Sequence, residues 1–168
     1  MAKFIFLCAL LPAFALAETH PMLRHSGLPI PRFVTLKSSE INLRVGPGRD
    51  YPILWVYTRK GYPMEVISEF GHWRKLQDKE GTQGWVHAQL LSGERAAIMQ
   101  TENAKQLIPI YADASSTSRL VMEAESGALL HLLSCQAQWC ELRADEAHKG
   151  WAEKRYIWGV YKDDLFED

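Results

Sequence analysis

Two tryptophans twelve residues apart, the second preceded by glycine, occur twice in this chain of 168 residues: Trp73 with Gly84-Trp85, and Trp139 with Gly150-Trp151. A single ungapped shift of 66 residues superposes both sets. It also places Leu54 over Leu120, Gly61 over Gly127, Ser68 over Ser134, Leu76 over Leu142 and Gly93 over Gly159. Trp and Gly have strong positional demands, one for volume and one for backbone freedom, so their joint recurrence reads as a duplicated unit. The chain is therefore two copies of one module, at 33–93 and 95–160, joined by Ser92-Gly93-Glu94. So short a joint favours packed neighbours over beads on a string. A module of ~60 residues has a small core and is marginal alone, so each gains by burying surface elsewhere.

The hydrophobic period in the first copy is two, the period of strands with one buried face. Phe33–Leu36, Asn42–Val45, Ile53–Thr58, Met64–Phe70, Trp73–Gln77 and Gln83–His87 read as strands, with one 3₁₀ turn at Ala88–Leu91. Gly46-Pro47-Gly48, Gly61-Tyr62-Pro63 and Gly71-His72 separate them. No segment carries a long helical period. The expected class is all-β: two tandem small barrels. Before them, Pro21, Gly27, Pro29 and Pro31 make 18–32 an irregular lead-in, with polyproline II favoured at Leu28–Pro31. After them, 161–168 reads as a mobile acidic tail.

The first seventeen residues have a basic start at Lys3, an apolar run from Phe4, and small residues at Ala15 and Ala17. That is the pattern of a cleaved secretory signal peptide, and the apolar run is short for a span of ~20 residues. Its removal leaves 18 Lys+Arg against 20 Asp+Glu, from totals of 19 and 20 less Lys3. No concentrated cationic face is evident, which argues against a nucleic-acid partner. No later stretch is apolar enough to span a membrane. Cys135 and Cys140 then remain as an even pair in an exported chain, for which a disulfide is the default. Closing so small a loop stabilises by roughly 2 kcal/mol in the chain-entropy model.

The first copy opens with Asn42-Leu43-Arg44-Val45-Gly46-Pro47-Gly48 and closes with Gly84-Trp85-Val86, with Glu69-Phe70-Gly71-His72-Trp73-Arg74-Lys75-Leu76 between them. These residues resemble the bacterial SH3 domain family (SH3b), and the whole chain resembles exported two-module SH3-like proteins of Gram-negative bacteria. The resemblance implies a partly open barrel of five to seven strands, a cell-envelope location, and binding of cell-wall peptide, glycan or protein ligands. It implies no catalysis. The second copy departs from the opening motif with Ile108-Pro109-Ile110-Tyr111-Ala112-Asp113-Ala114, so a site inferred from that motif carries over only to the first copy.

Catalytic constellations are absent from the sequence. The cysteines are paired, no Gly-x-Ser-x-Gly occurs, and the histidines show no metal-binding spacing, so no metal or cofactor is expected. Asp78/Glu80 and Asp145/Glu146 read as solvated loop charge. The candidates for ligand binding are Arg44, Arg49, Tyr51, Trp55, Tyr57, Trp73 and Trp85. Alternation along Ile53–Thr58 puts Leu54 and Val56 toward the core and Trp55 and Tyr57 outward, onto either a ligand surface or the second module and the lead-in. Trp73 and Trp85 either line a groove or plug the barrel end, and Tyr51 is a groove candidate. Arg44 either braces the loop backbone or meets a carboxylate, with Arg49 as a second anchor. His87 is a groove wall or an ordinary strand-end residue. The reading is a non-enzymatic periplasmic or secreted binding protein for cell-wall peptide, peptidoglycan or an envelope protein. The alternative is a structural protein whose aromatic surface is buried between modules or in an oligomer.

Overall fold

A computed structural model describes residues 26–103 and 105–167. The expected signal peptide and the start of the lead-in lie outside the described residues. The first unit contains β1 (Arg32–Leu36), β2 (Ile41–Arg44), β3 (Ile53–Tyr57), β4 (Pro63–Phe70), β5 (Trp73–Gln77), β6 (Gln83–His87), a 3₁₀ turn (Ala88–Leu90) and β7 (Leu91–Ser92). The second contains β8 (Ala96–Met99), β9 (Ile108–Tyr111), β10 (Leu120–Ala124), β11 (Leu129–Gln136), β12 (Trp139–Arg143), β13 (Lys149–Glu153), a 3₁₀ turn (Lys154–Tyr156) and β14 (Ile157–Trp158). The fold is all-β, and both sheets are antiparallel with equivalent order: β3-β2-β6-β5-β4-β1-β7 and β10-β9-β13-β12-β11-β8-β14. A last strand, β15 (Phe166–Glu167), pairs with β11.

The repeat is not quite ungapped. The offset of 66 holds from Pro63–Phe70 against Leu129–Gln136 onward, but β2 and β3 match β9 and β10 at 67. The connection after the third strand is one residue shorter in the second unit. Ile53, not Leu54, is therefore the counterpart of Leu120, and Arg44 the counterpart of Tyr111.

Each unit has its own core. Leu36, Ile41, Leu43, Met64, Val66, Leu76 and Val86 fill the first; Met99, Ile108, Ile110, Leu132, Leu142 and the two cysteines fill the second. Between them, Phe33 meets Trp158 edge-on at 5.2 Å and Tyr161 at 4.9 Å. The Tyr161 hydroxyl donates to Glu65 across the same boundary at 2.8 Å, and Arg59 donates to the Gly127 carbonyl at 3.1 Å.

One hairpin is locked in both units, by different chemistry. In the second, Cys135 and Cys140 are opposite in register and form a buried disulfide. In the first, the equivalent pair is Glu69 and Arg74. The Glu69 side chain is only 2% exposed and lies 3.1 Å from Arg74 Nε. It also accepts from Arg32 at 2.8 Å and from the Ser26 N–H and hydroxyl at 3.0 and 2.7 Å. Arg74 donates in addition to the Gly71 and Trp73 carbonyls. Glu69 thus ties residues 26–32 onto the barrel. The segment bends at Ile30 and Pro31, where the peptide bond is cis, in place of a polyproline II run.

The C-terminal stretch is likewise docked, in contrast to the mobile tail expected from its charge. Arg95 pairs with Asp164 at 2.6 Å and lies over the Phe166 ring, and Phe166 sits opposite Cys135. Phe166, packed against the second core, is what distinguishes this tail from a solvated acidic run, whereas Leu165 stays exposed. Among the described residues, no helix is long and apolar enough to cross a membrane.

Burial tends to raise the Glu69 pKa, but hydrogen bonds from Ser26 and Arg32 and the Arg74 charge outweigh it and hold the carboxyl below its ordinary range. Its contribution to stability is complete above the ordinary carboxylate pKa and is lost as pH falls through the lowered native value. Glu69→Gln leaves two guanidinium groups without their anion and is expected to cost about 3 kcal/mol or more. Denaturant unfolding followed by tryptophan emission measures this; the acid limb of stability should flatten in the same variant, and an unchanged limb contradicts the assignment.

Candidate functional site

The centre of the first sheet is β2-β6-β5, and strand periodicity divides its side chains cleanly. Leu43, Arg74, Leu76, Gly84 and Val86 point inward and are buried. Arg44, Trp73, Lys75, Trp85 and His87 point outward and are half-buried. Arg44 stands opposite Trp85, which stands opposite Lys75; Trp73 stands opposite His87. The result is an outer face of two indoles, an imidazole and two cations. Trp85 is thus on the face and does not plug the barrel end: Gly84 is the inward residue, so its neighbour must point out.

The loop after β2 completes one edge of this face. Arg44 Nη1 donates to the Tyr51 carbonyl at 2.7 Å, so Arg44 braces the loop while its charge remains beside Trp85. The Tyr51 ring lies against Gly46 and Gly48; a Cβ on Gly46 would come within 2.4 Å of the ring. This explains the glycines of the opening motif, because their backbone is the seat of an aromatic ring. Arg49 is exposed on the same loop. At the other edge, Trp73 meets His87 edge-on at 5.4 Å, and His72 lies 5.9 Å from His87. Burial first, then the charges of His72, Arg49 and Arg74, push the His87 pKa down, so its ring is neutral near pH 7.

Trp55 and Tyr57 do not join this face, which corrects the expected alternation. Trp55 is opposite Leu43 and Tyr57 opposite Ile41, both inward-facing residues. The register slips between Leu43 and Arg44, so Leu54 is the extra residue of a bulge and the phase of the strand changes there. Leu54 and Val56, expected in the core, are 48% and 41% exposed. Tyr57 is buried, and its hydroxyl donates to Asp78 at 2.6 Å. Trp55 projects at the sheet edge, 59% exposed, and the aromatic contact between the two units is made by Phe33 with Trp158 and Tyr161. Asp78 is not solvated loop charge either. It is buried and accepts from Tyr57 and from the Glu80 and Thr82 N–H groups. Asp145 does stay exposed, where it holds its own loop through His148 and the Ala147 N–H.

Lys75 was not among the expected residues. Alternation along Trp73-Arg74-Lys75-Leu76-Gln77 would have found it, since it shares a side with Trp73. The second unit presents the equivalent face with Tyr111, Trp139 and Trp151, and Tyr111 meets Trp139 edge-on at 5.9 Å. Two of its cations are paired, Lys149 with Glu141 at 3.1 Å and Arg155 with Glu153 at 2.8 Å, while Arg143, on the same side of β12, makes no ion pair among the described residues. Among the described residues, no carboxylate comes within ion-pair distance of Arg44, Arg49 or Lys75. The two faces share a scaffold and differ in charge.

A family model described as "Bacterial SH3 domain" matches residues 37–93 and 104–159, well over half the chain. No curated protein matches. Solved structures with similarity include NlpC2 from Trichomonas vaginalis, 8% identical over 80% of this chain and 50% of that one, with a TM-score of 0.35. An NlpC/P60 family protein from Bacillus cereus is 14% identical over 75% of this chain and 55% of that one, with a TM-score of 0.33. The chain thus spans about half the length of these proteins.

Gly46→Ala forces a methyl group into the Tyr51 ring and is expected to cost about 1–3 kcal/mol, the range for overpacking. In a Tyr51→Ala background most of that penalty should vanish. A double-mutant cycle on unfolding free energies tests this, and strict additivity contradicts the stacked arrangement.

Proposed function

Since the chain belongs to the bacterial SH3 domain family, with two modules in tandem, we propose that it is a non-enzymatic binding protein of the periplasm or cell exterior that recognises cell-wall peptide on peptidoglycan, or an envelope protein, through the outer face of β2, β5 and β6. The observation that carries this reading is the set of three cations, Arg44, Arg49 and Lys75, without carboxylate partners beside Trp73 and Trp85. Aromatic rings supply area at low entropic cost, and unpaired guanidinium and ammonium groups select an acidic ligand. Stem peptides of the cell wall carry carboxylates at such density. The second module, where Lys149 and Arg155 are paired with carboxylates, contributes an aromatic face of lower net charge.

The disulfide supports an oxidising compartment, where such bridges persist. The acidic residues that could have suggested hydrolysis are engaged otherwise, Asp78 in a buried hydrogen-bond cluster and Asp145 in its own loop. Among the described residues, no cluster of three metal-ligating side chains occurs.

Retention on purified peptidoglycan tests the proposal. Wild type should be retained, Trp73→Ala and Lys75→Ala should each weaken retention by roughly tenfold, and Trp139→Ala should bind as wild type. Retention should also fall with salt, as expected for an exposed cationic face. Absence of wild-type retention, or equal retention by Trp73→Ala, would overturn it. Release of muropeptides by the purified protein alone contradicts the non-enzymatic part.

A further inference from the structure

Equivalent places on the two units are filled differently at the junction between them. In the first unit, Phe33 on β1 stands opposite Glu65 on β4. Phe33 is buried against Trp158 and Tyr161, and Glu65 accepts from the Tyr161 hydroxyl. In the second unit the corresponding cross-strand pair is Ala96 on β8 and His131 on β11. A methyl group stands where the first unit has a phenyl ring, and an imidazole where it has a carboxylate. Ala96 and His131 line a cleft of about 610 Å³ between the units, within the range of small-ligand sites. The hydrogen bond from Arg59 to the Gly127 carbonyl ties the two walls together beside it.

The lining carries hydroxyls on its floor and cations at its rim. Val34 and Leu36 belong to the first core, so alternation along β1 turns Thr35 outward into the junction, with Lys37 beyond it. Thr35 is 3% exposed, yet its hydroxyl makes no hydrogen bond among the described residues. Buried hydroxyls are rarely left unpaired, and one that lines a cleft is satisfied by what enters it. Ser92 stands opposite Thr35 in register, and its oxygen accepts from the Glu94 N–H, which leaves its own hydrogen free to donate. Lys37 and Lys60 are exposed and have no ion-pair partner among the described residues. Past His131 the cleft continues to Arg143, opposite His131 in register and likewise unpaired. Arg95 is taken by Asp164, and Glu94 is the one carboxylate on the lining among the described residues. Three unpaired cations against one acid, over two hydroxyls, select an anion. Leu129 and Leu130 between them favour a ligand that carries carbon as well as charge. The geometry points to this cleft as a binding site for a short acidic peptide, with carboxylates on Lys37 and Lys60 at one end and on Arg143 at the other, and its chain over Thr35 and Ser92. The inference does not rest on the outer-face reading, because Arg44, Arg49, Trp73, Lys75 and Trp85 do not line the cleft.

Calorimetric titration of the full chain with an acetylated tri-glutamate peptide, together with nitrogen–proton correlation spectra, tests it. Binding should saturate, weaken with salt, and shift the backbone amides of Thr35, Lys60, Ala96 and His131. Lys37→Glu and Lys60→Glu should each weaken it by roughly tenfold. Thr35→Val should weaken it by roughly two- to tenfold without lowering stability in denaturant, as expected of a hydroxyl that serves a ligand and not the fold. Circular dichroism checks that each variant is folded, and the two exposed lysines read the site even if Thr35→Val does not fold. A tri-lysine peptide should not bind, and inorganic phosphate should bind more weakly than the acidic peptide. Absence of acidic-peptide binding overturns the inference, as does affinity indifferent to Lys37→Glu and Lys60→Glu, or phosphate binding as tight as the peptide. Shifts confined to the Trp73 and Trp85 indoles would assign the peptide to the outer face, overturning the cleft and leaving the outer-face reading intact.

Discussion

Each barrel closes through a contact that only glycine permits. Where β2 crosses β6, a Cβ on Gly84 would lie 2.5 Å from Leu43 Cγ and 2.8 Å from the Arg44 carbonyl oxygen. Where β9 crosses β13, a Cβ on Gly150 would lie 2.5 Å from the Tyr111 carbonyl oxygen and 2.9 Å from Ile110 Cγ2. The absence of a side chain lets the strands approach and lets Leu43 or Ile110 fill the core. Strand geometry does the rest: the residue after an inward glycine points outward. Trp85 and Trp151 are therefore on the outer face as a consequence of barrel closure. The outer aromatic face is a by-product of the way the barrel shuts, and the strand opposite decides its character, with Arg44 in one module and Tyr111 in the other.

The two modules also show how one structural requirement is met by unlike chemistry. The tip of the fourth–fifth strand hairpin needs an inward cross-strand pair that holds it shut. Cys135–Cys140 does this covalently and leaves an apolar surface, against which Phe166 lies. Glu69–Arg74 does it with charge, and a buried ion pair is tolerable only when its remaining hydrogen-bond capacity is filled. Ser26 and Arg32 fill it, which docks residues 26–32 on the first module, while the last strand pairs with β11 of the second. Ser26 and Arg32 cover the hairpin lock of the first barrel, and Phe166 that of the second.

Much of this is legible in the sequence, for reasons that are local. The duplicated Gly-Trp spacing, the period-two strands and the Cys135–Cys140 pair each depend on residues close in the chain or rigidly spaced. What is not legible depends on the third dimension. The faces of β3 are inverted by a bulge at Leu54 that one extra residue creates without any glycine to mark it. Tyr57 is inside because Asp78, far along the chain, offers its hydroxyl a buried acceptor. Glu69 reads as an ordinary hairpin charge until Ser26 and Arg32 are seen to surround it. Of the candidate residues, Arg44, Tyr51, Trp73 and Trp85 are brought to one face and its edge, with Arg49 on the adjoining loop; Trp55 and Tyr57 are not.

The proposed recognition lies on the cationic aromatic face of the first module and not on the face of the second, where Lys149 and Arg155 are already paired with carboxylates. Indole N–H resonances distinguish these faces directly, since Trp73 and Trp85 lie on one and Trp139 and Trp151 on the other. Titration of the full mature chain with soluble muropeptides, followed by nitrogen–proton correlation spectra, should shift the Trp73 and Trp85 indole signals saturably and leave those of Trp139 and Trp151 in place. Shifts confined to Trp139 and Trp151, or no shift at any indole, would contradict it.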